Sequence, residues 1–228
     1  SPVTVALGET VTADFALRPG ARISGRITDA ATGAPLPTPG VWVSILDSTG
    51  RHIGGVNPDA AGYYTTPFGL PPGTYFAQTD NSLGYVNVRF DGMPVSGNVT
   101  DGTPILLGDG VTYGGVDFAL LNGGRIAGQV LDVISGQPLS GNDVWVNIYD
   151  AGGQYIGGVS PDATGHYASF GLQPGTYYAQ TDNRLGYLNR RFNNQTTDGA
   201  VTGGTPITVT TGVTTGGVDF ALPRGGRI

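Results

Sequence analysis

Residues 69–85 read GLPPGTYFAQTDNSLGY and residues 171–187 read GLQPGTYYAQTDNRLGY, so the chain repeats itself over a long period. The repeat extends towards the amino terminus, where residues 41–47 (VWVSILD) correspond to residues 144–150 (VWVNIYD). The two offsets are 102 and 103 residues. Solenoid repeats span roughly 20–50 residues, so a period this long predicts autonomous domains in tandem.

The tetrapeptide DFAL closes each unit and occurs three times, beginning at Asp14, Asp117 and Asp219. Only three or four residues separate it from the next strand-like segment, which favours a semi-rigid rod. The spacing divides the chain into four parts: the terminal strands of a preceding repeat (1–19), a first β-sandwich repeat (20–122), a second (123–225) and the start of a further one (226–228). We therefore interpret the chain as a segment of a longer array.

Within a unit, apolar and polar residues alternate, and glycine or proline clusters recur every 8–12 residues, which is typical of a β-sandwich. The pattern predicts an all-β fold with two tandem sandwiches of about eight short strands each. In the first unit we expect strands at 22–29, 41–47, 52–57, 63–68, 74–80, 85–90, 103–107 and 113–120. The predicted core includes Ile23, Ile27, Val43, Ile45, Tyr64, Leu70, Tyr75 and Phe118.

The composition excludes several classes of function. The chain has no Cys and a formal net charge of −6, which argues against a disulfide framework, a thiolate metal site and a nucleic-acid groove. No apolar run approaches the roughly 20 residues that span a bilayer, so this segment is not expected to insert into a membrane. His52 and His166 stand at non-equivalent positions of the two units, and no phosphate-loop or zinc spacing is present. We therefore predict that the protein is not an enzyme.

Several motifs in a fixed order resemble a known family. They are ARISGRITDAATGAPL at 21–36, then V-x-V-x-I-x-D, P-D-x-x-G-x-Y, G-L-x-P-G-T-Y and V-D-F-A-L. Their succession resembles the carboxypeptidase regulatory-like domain, a neighbour of the Cna B-type repeats and of other transthyretin-like (prealbumin-like, Ig-like) sandwiches. The resemblance covers both full units.

The resemblance implies two four-stranded sheets per unit, one of them built from strands two, three, five and six. It also implies a secreted or bacterial cell-surface protein, as a spacer repeat or as an accessory domain beside a secreted enzyme. Cna B-type repeats often carry a Lys–Asn isopeptide crosslink. This chain has no Lys, so that bond cannot form here.

Aromatic residues are predicted on the outward face of the sandwich. If the β-branched residues of 41–47 face the core, Trp42 points outward, and the GTY motif leaves Phe76 outward in the fifth strand; Trp145 and Tyr178 are the counterparts. If the two strands are neighbours, Trp42 lies near Phe76 and Trp145 near Tyr178. Large exposed aromatics tend to mark contacts, here with a polysaccharide or with another copy of the chain. The alternatives are a loop that covers the patch and an incorrect strand phase.

Aspartates in or beside turns are candidate calcium ligands, because Ca²⁺ binds clustered carboxylate and carbonyl oxygens. They are Asp29, Asp59, Asp80, Asp132, Asp162 and Asp182. The competing interpretation is turn chemistry, since Asp bonds its own backbone in turns. Arg89 and Arg190–Arg191 are expected to pair with nearby Asp on a solvated face.

Two hypotheses of function follow. The first is a non-catalytic structural repeat segment of a bacterial surface fibre, stalk or adhesin, whose partners are the adjacent repeats and other copies of itself. The second is a carbohydrate-binding or accessory module of a secreted enzyme, using the outward aromatics. Calcium is the one candidate cofactor.

Overall fold

The computed structural model describes residues 2–14, 16–36, 39–93, 95 and 98–226. Within these residues unit 1 (20–122) and unit 2 (123–225) each carry eight strands. Unit 1 contains β1 (Arg22–Asp29), β2 (Val41–Asp47), β3 (His52–Val56), β4 (Tyr63–Thr65), β5 (Gly73–Asn81), β6 (Ile105–Leu107), β7 (Thr112–Tyr113) and β8 (Phe118–Leu120). Unit 2 contains β9 (Arg125–Asp132), β10 (Val144–Asp150), β11 (Tyr155–Val159), β12 (His166–Ala168), β13 (Gly175–Asn183), β14 (Ile207–Val209), β15 (Thr214–Thr215) and β16 (Phe220–Leu222). Short 3-10 turns lie at Phe90–Gly92, Val99–Asp101, Phe192–Asn194 and Val201–Gly203.

Each unit has two sheets, as the all-β prediction requires. In unit 1 one sheet runs in the order β3-β2-β5-β6, and the other places β1 between β4 and β7, with β8 also paired to β1. The pairings of β1 with β7 and with β8 are parallel, whereas the other pairings are antiparallel. Unit 2 repeats this topology strand for strand, with β9 in the place of β1.

Two of the expected strands are different in the structure. The stretch 85–90 forms isolated bridges, such as the one between Arg89 and Gln78, so the fourth strand of the β3-β2-β5-β6 sheet is β6. The stretch 113–120 is divided into β7 and β8. Gly115 lies at the break with φ +78°, a left-handed conformation that glycine adopts without steric cost and that turns the chain out of an extended path.

Each unit has its own hydrophobic core. The first cluster lies within residues 21–120 and the second within residues 126–222. All eight residues predicted for the core of unit 1 are buried in the first cluster. The cores agree in detail, since Tyr64 donates its hydroxyl hydrogen to the carbonyl of Val116 and Tyr167 does the same to Val218.

The segment before unit 1 contributes to neither core. Residues 2–14 and 16–19 carry no strand, and Leu17 is 92% exposed. Its counterpart Leu120 is fully buried because β8 pairs with β1 of the same unit.

Candidate functional site

The joint between the units is built from backbone atoms. The chain crosses it through residues 121–124, here called the strap. On one side, the Gly123 amide donates to the Gly84 carbonyl at 2.9 Å, and the Val86 amide donates to the Leu121 carbonyl at 2.8 Å. On the other side, Gly124 and Leu172 exchange two backbone hydrogen bonds of 2.9 and 2.8 Å. The strap is therefore held by unit 1 and by unit 2 at once.

The loops on either side of the strap also touch each other. Val86 of unit 1 forms an isolated parallel bridge with Gly171 of unit 2. A Cβ atom placed on Gly171 would lie 2.4 Å from the carbonyl oxygens of Gly84 and Tyr85, so the contact has no room for a side chain. Arg125 lies across Gly84, where an added Cβ would stand 2.3 Å from its guanidinium. These contacts fix the position of one unit against the other.

A cavity of about 420 Å³ lies beside this contact and draws its walls from both units. Unit 1 contributes Asp80, Asn81, Val86, Asn87 and Val95, and unit 2 contributes Asp150, Ile156, Phe170, Gly171, Leu172, Gln173 and Tyr177. Such inter-domain clefts are frequent sites of small ligands. Its walls combine amide and carboxylate groups with two aromatic rings.

The outward face of the β3-β2-β5-β6 sheet in unit 1 is mostly covered. The register pairs Trp42 with Asp80 and Phe76 with Leu46, so the expected neighbour relation between Trp42 and Phe76 was wrong. Phe76 is only 6% exposed. A Cβ on Gly50 would meet the Val99 side chain at 2.8 Å, which places the turn at Val99–Asp101 against the connection between β2 and β3. The low exposure of Phe76 agrees with a covering loop, the alternative considered for the sequence.

Unit 2 has the same register with a more open face. Trp145 lies opposite Asp182 and Tyr178 opposite Tyr149, so this pair is also separated. Both Trp145 and Tyr178 are half-buried. The Arg184 guanidinium lies 5.2 Å from the centre of the Trp145 ring, and Tyr149 packs edge-on against Tyr155 at 5.8 Å.

Buried arginines, rather than surface ion pairs, hold the covering segments. Arg89 and Arg191 are almost fully buried, contrary to the expected pairing with Asp on a solvated face. Arg89 donates to the carbonyl of Val95 at 3.1 Å, and Arg191 donates to the carbonyls of Thr197 and Gly199. The sequence did contain a signal for these buried arginines, because Arg occurs at the same position of both units, 102 residues apart.

Four of the six candidate calcium ligands are engaged in their own turns. Asp29 accepts hydrogen bonds from the amides of residues 31 and 32, Asp59 from those of 61 and 63, Asp132 from those of 134 and 135, and Asp162 from those of 164 and 166. Asp80 and Asp182 contact the amide groups of Asn87 and Asn189. Among the residues that the structure describes, no three His, Cys, Asp or Glu side chains come together as a metal site. The geometry supports the turn interpretation for Asp29, Asp59, Asp132 and Asp162, whereas Asp80 and Asp182 lie within β5 and β13.

Two of these carboxylates also accept a phenol hydroxyl. Tyr85 donates to Asp29 at 2.8 Å, and this bond, with those from the turn amides, lowers the pKa of the carboxyl. Asp132 has a lowered pKa because it accepts from the Ser135 amide and from Tyr187 in the same way. Asp80, beside the cavity, has a raised pKa because burial disfavours its charged form.

In the part of the chain that the structure describes, a Thr–His–Asp cluster lies on an exposed turn of unit 2. The Thr164 hydroxyl donates to Asp162 at 2.6 Å and lies 2.9 Å from Nδ1 of His166. Because the single hydroxyl hydrogen goes to the carboxylate, the imidazole cannot act as the base for this hydroxyl. The equivalent positions in unit 1 are Ala61 and Tyr63. The cluster stabilises a turn.

No family model matches the chain, and no curated protein matches it. Among solved structures, it is similar to the shaft pilin SpaA from Lactobacillus rhamnosus GG, at 13% identity and a TM-score of 0.37, over 93% of this chain and 100% of that one. It is similar to GBS52, the minor pilin of Streptococcus agalactiae, at 14% identity and a TM-score of 0.35, over 92% and 98% of the two chains.

The Bacillus anthracis TIE protein matches at 15% identity and a TM-score of 0.36 over 91% of this chain. The chain spans 34% of that protein and 63% of a streptococcal ancillary pilin that it also matches. Within the described residues no helix has the length and apolar character to cross a membrane. The comparisons assign the chain to no family.

Proposed function

We propose that this chain is a non-catalytic structural segment of a bacterial cell-surface or extracellular fibre, stalk or adhesin, in which β-sandwich units follow one another end to end. The observation that carries the proposal is the joint. Its strap is bonded to both units through the backbone, and the loops beside it touch at Gly171. A joint of this kind transmits orientation from one unit to the next, as a spacer or shaft requires.

The surface chemistry agrees with an extracellular spacer. The chain has no Cys, no Lys and a low share of charged residues, 12%. Its polar surface therefore consists largely of Thr, Asn, Ser and backbone groups. Within the sandwich class, the order of the motifs supports our assignment to carboxypeptidase regulatory-like domains.

Electron microscopy of the native material tests this function. We expect rods with a regular beaded repeat, one bead for each sandwich. Globular particles without such rods would contradict a structural fibre. An enzyme domain in the same full-length product, with no further repeats, would favour the accessory-module hypothesis instead.

The cavity at the joint favours a second candidate, a carbohydrate-binding module. Asp80, Asn87 and Gln173 offer polar groups beside the ring of Phe170, a combination suited to a neutral polyhydroxylated ligand. Titration with oligosaccharides, followed by isothermal calorimetry, tests it, with Phe170→Ala as the variant expected to lose binding. Absence of heat for every polysaccharide fragment of the native surface would exclude this candidate.

A further inference from the structure

The strap contains the one Asn–Gly pair of the sequence, Asn122 and Gly123. In such a pair the backbone nitrogen of the glycine can attack the side-chain amide carbon of the asparagine, because glycine has no Cβ atom to obstruct the approach. A new bond between this nitrogen and Cγ closes a five-membered imide, and the bond between Cγ and Nδ2 breaks. Ammonia then leaves with the hydrogen of the attacking amide.

Water opens the imide in one of two ways. Cleavage of the bond between Cγ and the Gly123 nitrogen gives aspartate, whereas cleavage of the bond between that nitrogen and the main-chain carbonyl carbon gives isoaspartate. In isoaspartate the main chain runs through Cβ and Cγ, so it is one atom longer, and the former carbonyl carbon becomes a free carboxylate. Both products replace a neutral amide with a negative charge.

The hydrogen bonds of the closed joint oppose ring closure. The nitrogen that attacks is the one whose hydrogen is donated to the Gly84 carbonyl at 2.9 Å. Asn122 forms an isolated antiparallel bridge with Tyr85, and the backbone bonds at Leu121 and Gly124 hold the chain on either side. Because the imide can form only when the backbone turns and this hydrogen leaves, the joint has to open first.

Packing separates the two reacting groups in the same way. Gly123 is buried, and a Cβ atom placed on it would lie 2.6 Å from the Cα atom of Gly171. The Asn122 side chain is exposed beside Gly212, where an added Cβ would stand 3.4 Å from Nδ2. The carbon that is attacked is therefore accessible in the closed joint, while the attacking nitrogen is enclosed.

The asparagine is not required for the bonds of the strap. Its counterpart in unit 2 is Arg224, and there the Gly225 amide still donates to the Gly186 carbonyl at 2.8 Å. This bond corresponds to the one that closes the joint at the strap. A residue that cannot form an imide therefore supports the same backbone geometry.

We propose that Asn122 is a modification site that deamidates when the joint opens, and that the isoaspartate product keeps the joint open. The additional main-chain atom lies between the bonds at Leu121 and Gly123, which hold the strap on residues 84–86, so the register of the strap on unit 1 is lost. The reaction consumes only water, and it makes a reversible opening permanent. The inference goes beyond the fibre function, because it depends on the joint alone.

Mass spectrometry of the tryptic peptide 90–125, after incubation at mildly alkaline pH, measures the reaction. The peptide also contains Asn98, which is followed by a β-branched residue and serves as the internal reference. We expect Asn122 to convert slowly in the native protein and faster in concentrated urea. Gly171→Ala should raise the native rate about two- to tenfold, the factor that corresponds to the loss of one backbone hydrogen bond. Gly108→Ala is the matched control, because a Cβ there meets no atom within 4 Å.

A second measurement tests the consequence for the joint. The isoaspartate form, separated by ion exchange, should give a broad distribution of distances between one spin label in each unit, and the unmodified form a narrow one. Asn122→Arg copies the residue that unit 2 carries at this position. This variant should release no ammonia from the strap and should keep a narrow distribution after the same incubation.

Equal rates of Asn122 conversion in the native protein and in urea would overturn the protection by the joint. Equal rates for Gly171→Ala and Gly108→Ala would overturn it as well. A narrow distance distribution in the isoaspartate form would overturn the permanent opening. None of these results bears on the fibre function, which is judged by rods in the native material.

Discussion

Replacing Gly171 with alanine should release the joint without unfolding either unit. The new Cβ atom would lie 2.4 Å from the carbonyl oxygens of Gly84 and Tyr85. Restoring ordinary contact at about 3.4 Å requires the two loops to separate by about 1 Å. The bond from the Gly123 amide to Gly84, now 2.9 Å, would then exceed the hydrogen-bonding range, at a cost of about 0.5–1.5 kcal/mol.

Distances between spin labels in the two units measure the effect. The chain has no Cys, so Leu106→Cys and Thr208→Cys introduce two unique label sites at exposed positions of β6 and β14. We expect a single narrow distance distribution in the parent protein and a broad one with Gly171→Ala. Gly108→Ala is the matched control, because a Cβ there meets no atom within 4 Å.

Melting of both units should stay unchanged in the variant, since Gly171 lies outside both core clusters. A distribution as narrow as that of the parent, in a folded Gly171→Ala protein, would refute the role of the joint.

The remaining predictions concern the cores and the carboxylates. Ile148→Ala should lower the free energy of unfolding of unit 2 by about 2–5 kcal/mol and leave the melting temperature of unit 1 unchanged, as measured by calorimetry. A lower melting temperature for both units would contradict separate cores. Asp29 and Asp132 have lowered pKa values in the folded protein, so their stabilisation is present above about pH 4 and is lost as the pH falls. Denaturant midpoints that do not fall between pH 5 and 2 would contradict this. Calcium at about 1 mM should not raise the melting temperature relative to EDTA, because turn amides engage the carboxylates; a rise would restore the calcium hypothesis.

The alternation of side chains made the core predictable. Val43 and Ile45 face inward because every second residue of a strand points to the same side. That rule needs no knowledge of the neighbouring strands. It therefore identified, from the sequence alone, which residues are buried in the core.

The register between β2 and β5 and the burial of Phe76 were not predictable in the same way. Strands β2 and β5 are neighbours in space but are separated in sequence by β3 and β4, so no turn fixes their alignment. This is why Phe76 was placed beside Trp42 rather than beside Leu46. The segment around Val95 has no periodic pattern and is held by Arg89, a residue whose charge normally indicates a solvated position.

The joint was only partly predictable. The short spacing between DFAL and the next strand indicated limited bending. Gly84 and Gly171 make the contact, and both belong to the longest repeated stretch. Because glycine has no side chain, neither residue indicates an interface in the sequence. In the structure the interface is identified by the close approach of Gly171 to the carbonyl groups of Gly84 and Tyr85.

The parallel pairing of β1 with β8 determines how a unit bears tension. The chain enters the unit at Arg22, where β1 begins, and leaves it at Leu120, which lies opposite Asp29 at the far end of β1. A pull on the two ends acts on these neighbouring strands in opposite directions along their length. The hydrogen bonds between them are then loaded in shear, all at once, instead of being opened one after another. Each sandwich therefore resists extension along the direction that joins its two ends.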